Sequence, residues 1–171
     1  MTKKSNITLI GMPGAGKSTI GIILAKYLTF GFIDTDVLIQ INHQKSLQEI
    51  MDAHDYLTLR QIEEQEILKL NIQRHIISTG GSAVYSPKAM KHLAAISRII
   101  FLEVDFAEIT RRIHNFEQRG IAKREDQSFE SLFEERKILY EQYAELTIPC
   151  RNLDQDQVAE KIVALTGRDA L

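Results

Sequence analysis

Residues 11–18 carry the sequence GMPGAGKS, which restricts the possible folds of this chain more than any other feature. The segment matches the pattern G-x-x-x-x-G-K-[ST] at every fixed position. An apolar run at residues 7–10 predicts a buried strand before it, and apolar residues at helical spacing over 18–28 predict a helix after it. Strand, glycine-rich loop and helix in this order are the context of a phosphate-binding loop, or P-loop. The sequence therefore predicts a site for the phosphates of a nucleotide.

The residues of this loop have separate expected roles in binding ATP. Glycines let consecutive backbone N–H groups turn toward an anion, and the following helix adds the positive end of its dipole. Lys17 is expected to bridge the β- and γ-phosphates, and the Ser18 hydroxyl to bind Mg²⁺. The predicted nucleotide-binding residues of the loop are Gly14, Ala15, Gly16, Lys17, Ser18 and Thr19. The alternative is a plain glycine-rich turn with Lys17 in solvent.

The composition of the whole chain disfavours several classes of protein. With 44% hydrophobic and 26% charged residues, the 171-residue chain is expected to fold by itself around one core. A net charge of −2 without a long basic run disfavours a nucleic-acid partner. No window approaches membrane-spanning length, so we expect no membrane partner and a cytoplasmic location. Cys150 is the single cysteine, which excludes an internal disulfide.

Strand-like and helix-like segments alternate along the chain, which predicts an α/β fold. Five strands are predicted, at residues 7–10, 32–34, 75–78, 98–104 and 146–148. Helices between them make crossover connections, so we expect a three-layer P-loop kinase fold with a five-stranded parallel sheet. The polar segment 114–126 lacks a sustained apolar face and is interpreted as a mobile lid. The whole chain, 1–171, is predicted to be a single P-loop kinase domain and a monomer.

Charged residues elsewhere in the chain are candidates for a second site. Asp34 and Asp36 follow the second predicted strand, at the sheet edge where α/β folds bind ligands, so one can serve a metal and the other a substrate. Arg60 lies three residues before Glu63 on a predicted helix, where the carboxylate is expected to hold the guanidinium. Arg136 is a second candidate, because planar guanidinium groups suit a carboxylate or a phosphate. Together these residues predict an acidic small-molecule substrate.

Each of these residues also has a purely structural interpretation. Asp34 is a favoured type of helix N-cap, and Arg60 and Arg136 are of the type that forms surface ion pairs. The five histidines show no metal-ligand spacing. No Asn-Lys-x-Asp sequence for guanine recognition is present, which disfavours a GTPase.

Several motifs, taken in order, extend over nearly the whole chain. They are the P-loop, Asp34-x-Asp36, Arg60-x-x-Glu63, Gly80-Gly81, Arg112 and Arg119 seven residues apart, and Arg136 followed by Tyr140. Their order and spacing resemble the shikimate kinase family. The resemblance implies Mg²⁺-dependent phosphoryl transfer from ATP to a hydroxyl of shikimate, which gives shikimate 3-phosphate.

The resemblance implies a role for each matching residue on the donor side. Asp34 is expected to help Ser18 hold the magnesium ion. Arg112 is expected to lie along the adenine, and Arg119 on the lid to reach the transferring phosphate. Phosphoryl transfer needs positioning and charge stabilisation more than a covalent nucleophile.

The resemblance also implies roles on the acceptor side. Asp36 is expected to bind the ring hydroxyls and orient the attacking oxygen. Arg60 and Arg136 are expected to bind the carboxylate of shikimate, beside the backbone N–H groups of Gly80 and Gly81. The expected catalytic residues are then Lys17, Asp36 and Arg119.

The sequence departs from the usual residues of the family in four places, and three of these changes are on the acceptor side. Ser82 stands where a third glycine is usual and is expected to add a side chain where the substrate passes. Arg119 is followed by Gly120-Ile121-Ala122, which predicts a smaller and more flexible lid. Asp55-Tyr56 and Leu59 replace a Gly-Glu pair and an aromatic residue near Arg60. The open alternatives are a kinase of another hydroxy acid or sugar acid and a non-catalytic nucleotide-binding regulatory protein.

Overall fold

Five parallel strands form the sheet at the centre of the fold. The structure, a computed structural model, describes residues 4–113 and 121–167. The strands are β1 (Asn6–Ile10), β2 (Gly31–Asp34), β3 (His75–Ser78), β4 (Ser97–Glu103) and β5 (Leu146–Pro149). Their order across the sheet is β2-β3-β1-β4-β5, and every neighbouring pair is parallel. The predicted α/β fold with a five-stranded parallel sheet is confirmed.

Helices connect and flank these strands. They are α1 (Lys17–Leu28), α2 (Thr35–His43), α3 (Leu47–Ala53), α4 (Tyr56–Leu68), α5 (Pro87–Ile96), α6 (Phe106–Arg112), α7 (Phe129–Tyr143) and α8 (Gln155–Thr166), with a short 3-10 helix at Ala83–Tyr85. Helix α1 packs against α8 and β3, whereas α5 packs against α4 and β4. Helices α2, α3 and α4 follow β2 and pack on one another. Among the described residues, no helix combines the length and apolar character needed to cross a membrane.

Strand β1 lies in the middle of the sheet and is buried along its whole length. Its isoleucine and leucine side chains have no exposed surface. The buried amide of Asn6 donates to the carbonyl oxygens of Ile72 and Ile96 at 2.8 and 3.0 Å, and its oxygen accepts from the N–H of His75. Backbone groups that would otherwise be buried without partners are thereby satisfied. The P-loop therefore starts from a firmly held strand.

Capping side chains fix where the helices near the edge of the sheet begin. The N-cap residues of α2, α3, α4 and α5 are Asp34, Ser46, Asp55 and Ser86, and each accepts a hydrogen bond from the first turn of its helix. Pro87 occupies the first position of α5, where a residue without a backbone N–H fits well. The helix predicted over residues 18–28 corresponds to α1, which begins one residue earlier. The short 3-10 helix is not predicted by the sequence, and the lid prediction falls largely on residues 114–120, outside the described residues.

Candidate active site

A cavity of about 390 Å³ lies at the carboxyl ends of β1, β2 and β3. The carboxyl ends of parallel strands meet at the same edge of a sheet, so residues distant in sequence converge there. The predicted site residues that line this cavity are Gly14, Gly16, Lys17, Ser18, Thr19, Asp34, Asp36, Gly80, Gly81 and Arg136. Ile121 and Ala122 close part of its opposite wall. The structure thus brings most of the predicted donor and acceptor residues into one site, whereas Ala15, Arg60 and Arg112 do not line this cavity.

Two glycines give the P-loop its shape. Gly14 and Gly16 have φ angles of 82° and 93°, in the left-handed region that glycine adopts without a steric cost. Between them, the N–H of Ala15 donates to the carbonyl oxygen of Met12 at 3.1 Å and tightens the turn. Gly16 is the N-cap of α1, so the loop ends directly on the positive end of that helix.

The side chain of Lys17 is folded back onto the P-loop. Its Nζ donates to the carbonyl oxygens of Gly11 and Met12 at 2.8 and 2.9 Å. The residue is 8% exposed, so the alternative that places Lys17 in solvent is wrong. Burial lowers its pKa to about 8, although the nearby carboxylates of Asp36 and Asp34 act in the opposite direction.

Asp34 contacts both α2 and the P-loop. Its Oδ1 accepts from the backbone N–H groups of Asp36 and Val37 at 3.0 and 3.3 Å, which caps α2. Its Oδ2 accepts from the Ser18 hydroxyl at 2.5 Å. The helix-cap interpretation is therefore confirmed for one oxygen, while the other lies against the phosphate loop. A hydroxyl and a carboxylate oxygen side by side are the hard oxygen ligands that Mg²⁺ prefers, so the residues present fit this ion.

Two carboxyl groups meet beside Gly80. A Cβ at Gly80 would overlap Glu63 Oε1 and would lie 2.5 Å from Asp36 Oδ1, so glycine is required where these two groups approach. Burial and the charge of Asp34 raise the pKa of Asp36 to about 6, against the opposing charges of Lys17 and Arg136. The carboxyl group of Asp36 is thus less acidic than that of an ordinary aspartate.

Glu63 does not hold Arg60, which corrects the pairing expected from their spacing. Its Oε2 accepts a hydrogen bond from the hydroxyl of Ser82, and its Oε1 has no hydrogen-bond partner among the described residues. Burial, reinforced by the charge of Asp36, raises the pKa of Glu63 to about 7. Ser82 is itself buried and turns its hydroxyl to Glu63. The departure at Ser82 therefore changes the surroundings of Glu63.

Arg60 and Arg136 converge on one backbone oxygen. Both guanidinium groups donate through Nη2 to the carbonyl oxygen of Ala122, at 3.3 and 2.8 Å. Arg136 is 1% exposed, so its interpretation as a surface ion pair is wrong. In the described part of the chain, no carboxylate oxygen lies within 4.0 Å of either guanidinium, and both Nε atoms lack a hydrogen-bond partner. A buried and a partly buried cation with unused donors are well suited to bind an acid.

The main contribution of Gly80 and Gly81, which follow β3, is the space left by their missing side chains; their backbone N–H groups contribute less as hydrogen-bond donors. The N–H of Gly80 already donates to Thr35 Oγ1 at 3.1 Å, which corrects the expectation that it is available to an acceptor. A Cβ at Gly81 would lie 2.7 Å from Arg136 Nη1, and the Gly81 carbonyl accepts from the Tyr140 hydroxyl at 2.7 Å. The two glycines therefore let β3 approach the buried charges closely.

A second cavity of about 390 Å³ lies beyond the P-loop, between α6 and the turn that follows β5. Arg112 lines it and donates through Nη1 to the Gly14 carbonyl at 3.3 Å and through Nε to Glu108 at 2.7 Å. Arg112 thus connects this cavity with the phosphate loop. Arg119, the predicted lid arginine, lies outside the described residues.

Residues missed by the sequence analysis surround Arg60. Its guanidinium carbon lies 3.5 Å from the centre of the Tyr85 ring and 5.0 Å from that of Tyr56. Ala122 is 2% exposed and packs in a small apolar cluster with residues of α2, α3 and α4. No spacing rule connects Tyr85 or Ala122 with Arg60, so no sequence signal identifies them.

Comparison with known proteins relates this chain and its fold to one family. The shikimate kinase family matches residues 13–166. A shikimate kinase of Pasteurella multocida is 36% identical over 169 residues, covering 96% of this chain and 97% of the relative. A shikimate kinase of Caldanaerobacter subterraneus is 33% identical over 161 residues, covering 92% and 94%.

Solved structures agree with this assignment. The shikimate kinase of Acinetobacter baumannii in complex with shikimate superposes with a TM-score of 0.87 at 26% identity, over 94% of this chain and 92% of that one. A gluconokinase of Sinorhizobium meliloti has a TM-score of 0.54 at 16% identity, which reflects the fold alone.

The raised pKa of Glu63 predicts a pH-dependent stability. The folded chain holds the Glu63 proton more tightly than the unfolded chain, because the pKa rises from 4.5 to about 7 on folding. The ionised carboxylate therefore costs stability above pH 7, and this cost disappears as the pH falls toward 4.5. We expect Glu63→Gln to be more stable than the wild type by about 3 kcal/mol at pH 8 and by less than about 1 kcal/mol at pH 5. Urea unfolding of ligand-free protein at the two pH values measures the difference.

The control for this experiment is Glu141→Gln, which removes one exposed carboxylate from α7. It is expected to leave the free energy of unfolding unchanged at pH 8. A Glu63→Gln variant that is destabilised at pH 8 would contradict the unfavourable burial of the Glu63 charge.

Proposed function

The chain belongs to the shikimate kinase family, and we propose that it transfers the γ-phosphoryl group of ATP to a hydroxyl of shikimate within the cavity described above. It is a phosphotransferase that acts on a hydroxyl group, and this activity belongs to the biosynthesis of aromatic amino acids. The single observation that carries the choice of acceptor is the pair Arg60 and Arg136. Their guanidinium groups meet at the Ala122 carbonyl, and no carboxylate among the described residues pairs with either. A carboxylated substrate supplies that missing charge.

The donor half of the reaction uses the P-loop and the second cavity. Backbone N–H groups of residues 14–19 would surround the β- and γ-phosphates, and Lys17 Nζ would leave its own loop carbonyls to contact them. Arg112 lies between the P-loop and the second cavity. The adenine of ATP would bind on this side of the P-loop, with the Arg112 side chain along it. Arg119 is proposed to contact the transferring phosphoryl group from the lid, residues 114–126.

Ser18 and Asp34 are proposed to hold Mg²⁺ with the phosphates. Their side-chain oxygens lie together at the start of α1, and Asp34 is fixed by its hydrogen bonds to the first turn of α2. When bound, Mg²⁺ neutralises the charge of the phosphate oxygens. The cap therefore orients the carboxylate that would bind the ion.

Asp36 is proposed to orient the attacking hydroxyl and to accept its proton. The hydroxyl oxygen forms a bond to the γ-phosphorus while the bond from that phosphorus to the β-γ bridging oxygen breaks, and the hydroxyl proton passes to the Asp36 carboxylate. Its raised pKa makes the carboxylate a better proton acceptor near neutral pH than an ordinary aspartate. Lys17, close enough to influence Asp36, would neutralise the charge that develops on the leaving phosphate.

Arg60 and Arg136 are proposed to bind the acceptor carboxylate in the place now taken by the Ala122 carbonyl. The backbone oxygen satisfies one donor of each guanidinium, while a carboxylate has two oxygens and a full negative charge. Ala122 belongs to the predicted lid, so acceptor binding would displace the end of the lid from the cavity. We propose that residues 1–171 act as one kinase domain; a monomeric state and a cytoplasmic location remain predictions.

An acceptor panel tests the proposed function. Coupled detection of ADP release is compared for shikimate, gluconate and AMP, and the phosphorylated product is identified by mass spectrometry. We expect turnover with shikimate to exceed the rate without acceptor by at least about 100-fold, since bound acceptor replaces water at an oriented site. Turnover with gluconate alone would identify a kinase of another acid, and nucleotide binding without any product would favour a regulatory protein.

The buried charge of Arg136 gives a second test. We expect Arg136→Leu to raise the KM for shikimate by about 100-fold, because the carboxylate loses a desolvated charged partner. The KM for ATP is expected to stay within twofold of the wild-type value. The free energy of unfolding is expected to change by no more than about 1 kcal/mol, because leucine removes a buried charge that has no ion pair among the described residues.

Lys137→Leu removes the partly exposed cation next to Arg136 in the same helix; it is the matched control and should leave both KM values unchanged. Steady-state kinetics with each substrate varied in turn measure these constants. An unchanged shikimate KM in Arg136→Leu would exclude Arg136 from the acceptor site.

A further inference from the structure

The guanidinium of Arg60 rests on an aromatic ring. Its central carbon lies 3.5 Å from the centre of the Tyr85 ring, well within the range of a cation–π contact. The same carbon lies 5.0 Å from the centre of the Tyr56 ring, which is on α4 like Arg60 itself. The remaining hydrogen bond of this guanidinium goes to the Ala122 carbonyl. The Tyr85 ring and the Ala122 carbonyl therefore together fix the charged end of Arg60.

The carboxylate best placed to hold Arg60 is used elsewhere. Glu63 lies one helical turn further along α4, the spacing at which acidic and basic side chains usually pair. Its Oε2 instead accepts from the Ser82 hydroxyl, and its Oε1 lies against Gly80 beside Asp36. A carboxylate bound to Arg60 would neutralise the charge that an acidic substrate needs, whereas an aromatic ring orients the charge and leaves it available.

The Tyr85 ring is itself held at both ends. Its backbone ends the short 3-10 helix that follows the Gly80-Gly81-Ser82 turn, and its hydroxyl donates to Glu135 Oε1 on α7. Glu135 also accepts from Gln127 Nε2 at 3.1 Å, and it directly precedes Arg136 in the chain. The ring is thus tied to the same helix that carries the second arginine of the acceptor pair.

We propose that Tyr85 is a positioning residue for acceptor binding: its ring holds the Arg60 guanidinium next to that of Arg136 without neutralising it. This inference rests on the proposed function, because it assumes that the two guanidinium groups bind the carboxylate of the acceptor. The ring acts through Arg60 and makes no contact of its own with the reacting atoms. The hydroxyl has the smaller part, since it only anchors the ring to α7.

Substitution of the ring separates positioning from general stability. Tyr85→Leu removes the aromatic face, Tyr85→Phe keeps it and loses only the hydroxyl, and Tyr27→Leu on the exposed surface of α1 is the matched control. We expect Tyr85→Leu to raise the shikimate KM on the order of tenfold, with kcat and the ATP KM within twofold. Tyr85→Phe is expected to stay within threefold of the wild type, and Tyr27→Leu to be unchanged.

A chemical probe of Arg60 gives a readout that needs no substrate. Phenylglyoxal reacts with accessible guanidinium groups, and peptide mass spectrometry gives the rate at each arginine, with the exposed Arg111 as the internal standard. We expect Arg60 to react several-fold faster in Tyr85→Leu than in the wild type or Tyr85→Phe, because the ring no longer covers it. Tyr85→Met, which keeps more of the side-chain length, replaces Tyr85→Leu if the latter does not fold.

The outcomes distinguish this inference from the proposed function. Absence of shikimate turnover in the wild type would contradict the function, whatever the variants do. An Arg60 modification rate that is equal in the wild type and Tyr85→Leu would overturn the positioning role of the ring, even with normal turnover. A loss in Tyr85→Phe as large as in Tyr85→Leu would also overturn it, because the hydroxyl and not the ring would then be responsible.

Discussion

The acceptor side of this structure depends on two guanidinium groups that lie close together and that have no carboxylate partner within residues 4–113 and 121–167. Arg136 is almost fully buried and Arg60 partly so, and both donate to the one carbonyl oxygen of Ala122. Removing such charges from water is costly unless other groups compensate. The Tyr85 ring and the Ala122 carbonyl supply part of this compensation, and an acidic substrate would supply the rest.

Negative charge is present in the same cavity but is kept away from the arginines. Asp36 and Glu63 meet beside Gly80, where each carries a raised pKa because burial disfavours its ionised form. The Ser82 hydroxyl holds Glu63 at this position. The site is therefore divided into a carboxylate-rich end near the P-loop, suited to a hydroxyl and its proton, and a cationic end suited to a carboxylate. That division orients a hydroxy acid with its hydroxyl toward the phosphates.

The sequence predicts the donor half well because its geometry is local. A strand, a glycine loop and a helix are contiguous, so the positions of Lys17 and Ser18 follow from the motif. The bounds of most strands follow from their apolar runs. Asp34 and Asp36 follow the same logic, because they come directly after a strand and so reach the edge of the sheet. The roles of individual residues in catalysis and of Arg119 on the lid remain predictions.

The acceptor half is predicted less well, because its partners are chosen by tertiary packing. Spacing along α4 favours an ion pair between Arg60 and Glu63. The fold instead brings Ser82 to Glu63 and Tyr85 to Arg60. Helical periodicity cannot distinguish a surface arginine from a buried one, so the burial of Arg136 is visible only in three dimensions. The position of Ala122 depends on how the end of the lid packs on α2, α3 and α4.

A crystal structure of the chain with ADP and shikimate tests the central claim most directly. The account predicts that the shikimate carboxylate lies within hydrogen-bond distance of both Arg60 and Arg136, and that the Ala122 carbonyl has left the two guanidinium groups. A complex in which Ala122 keeps both hydrogen bonds, with the carboxylate bound elsewhere, would contradict it.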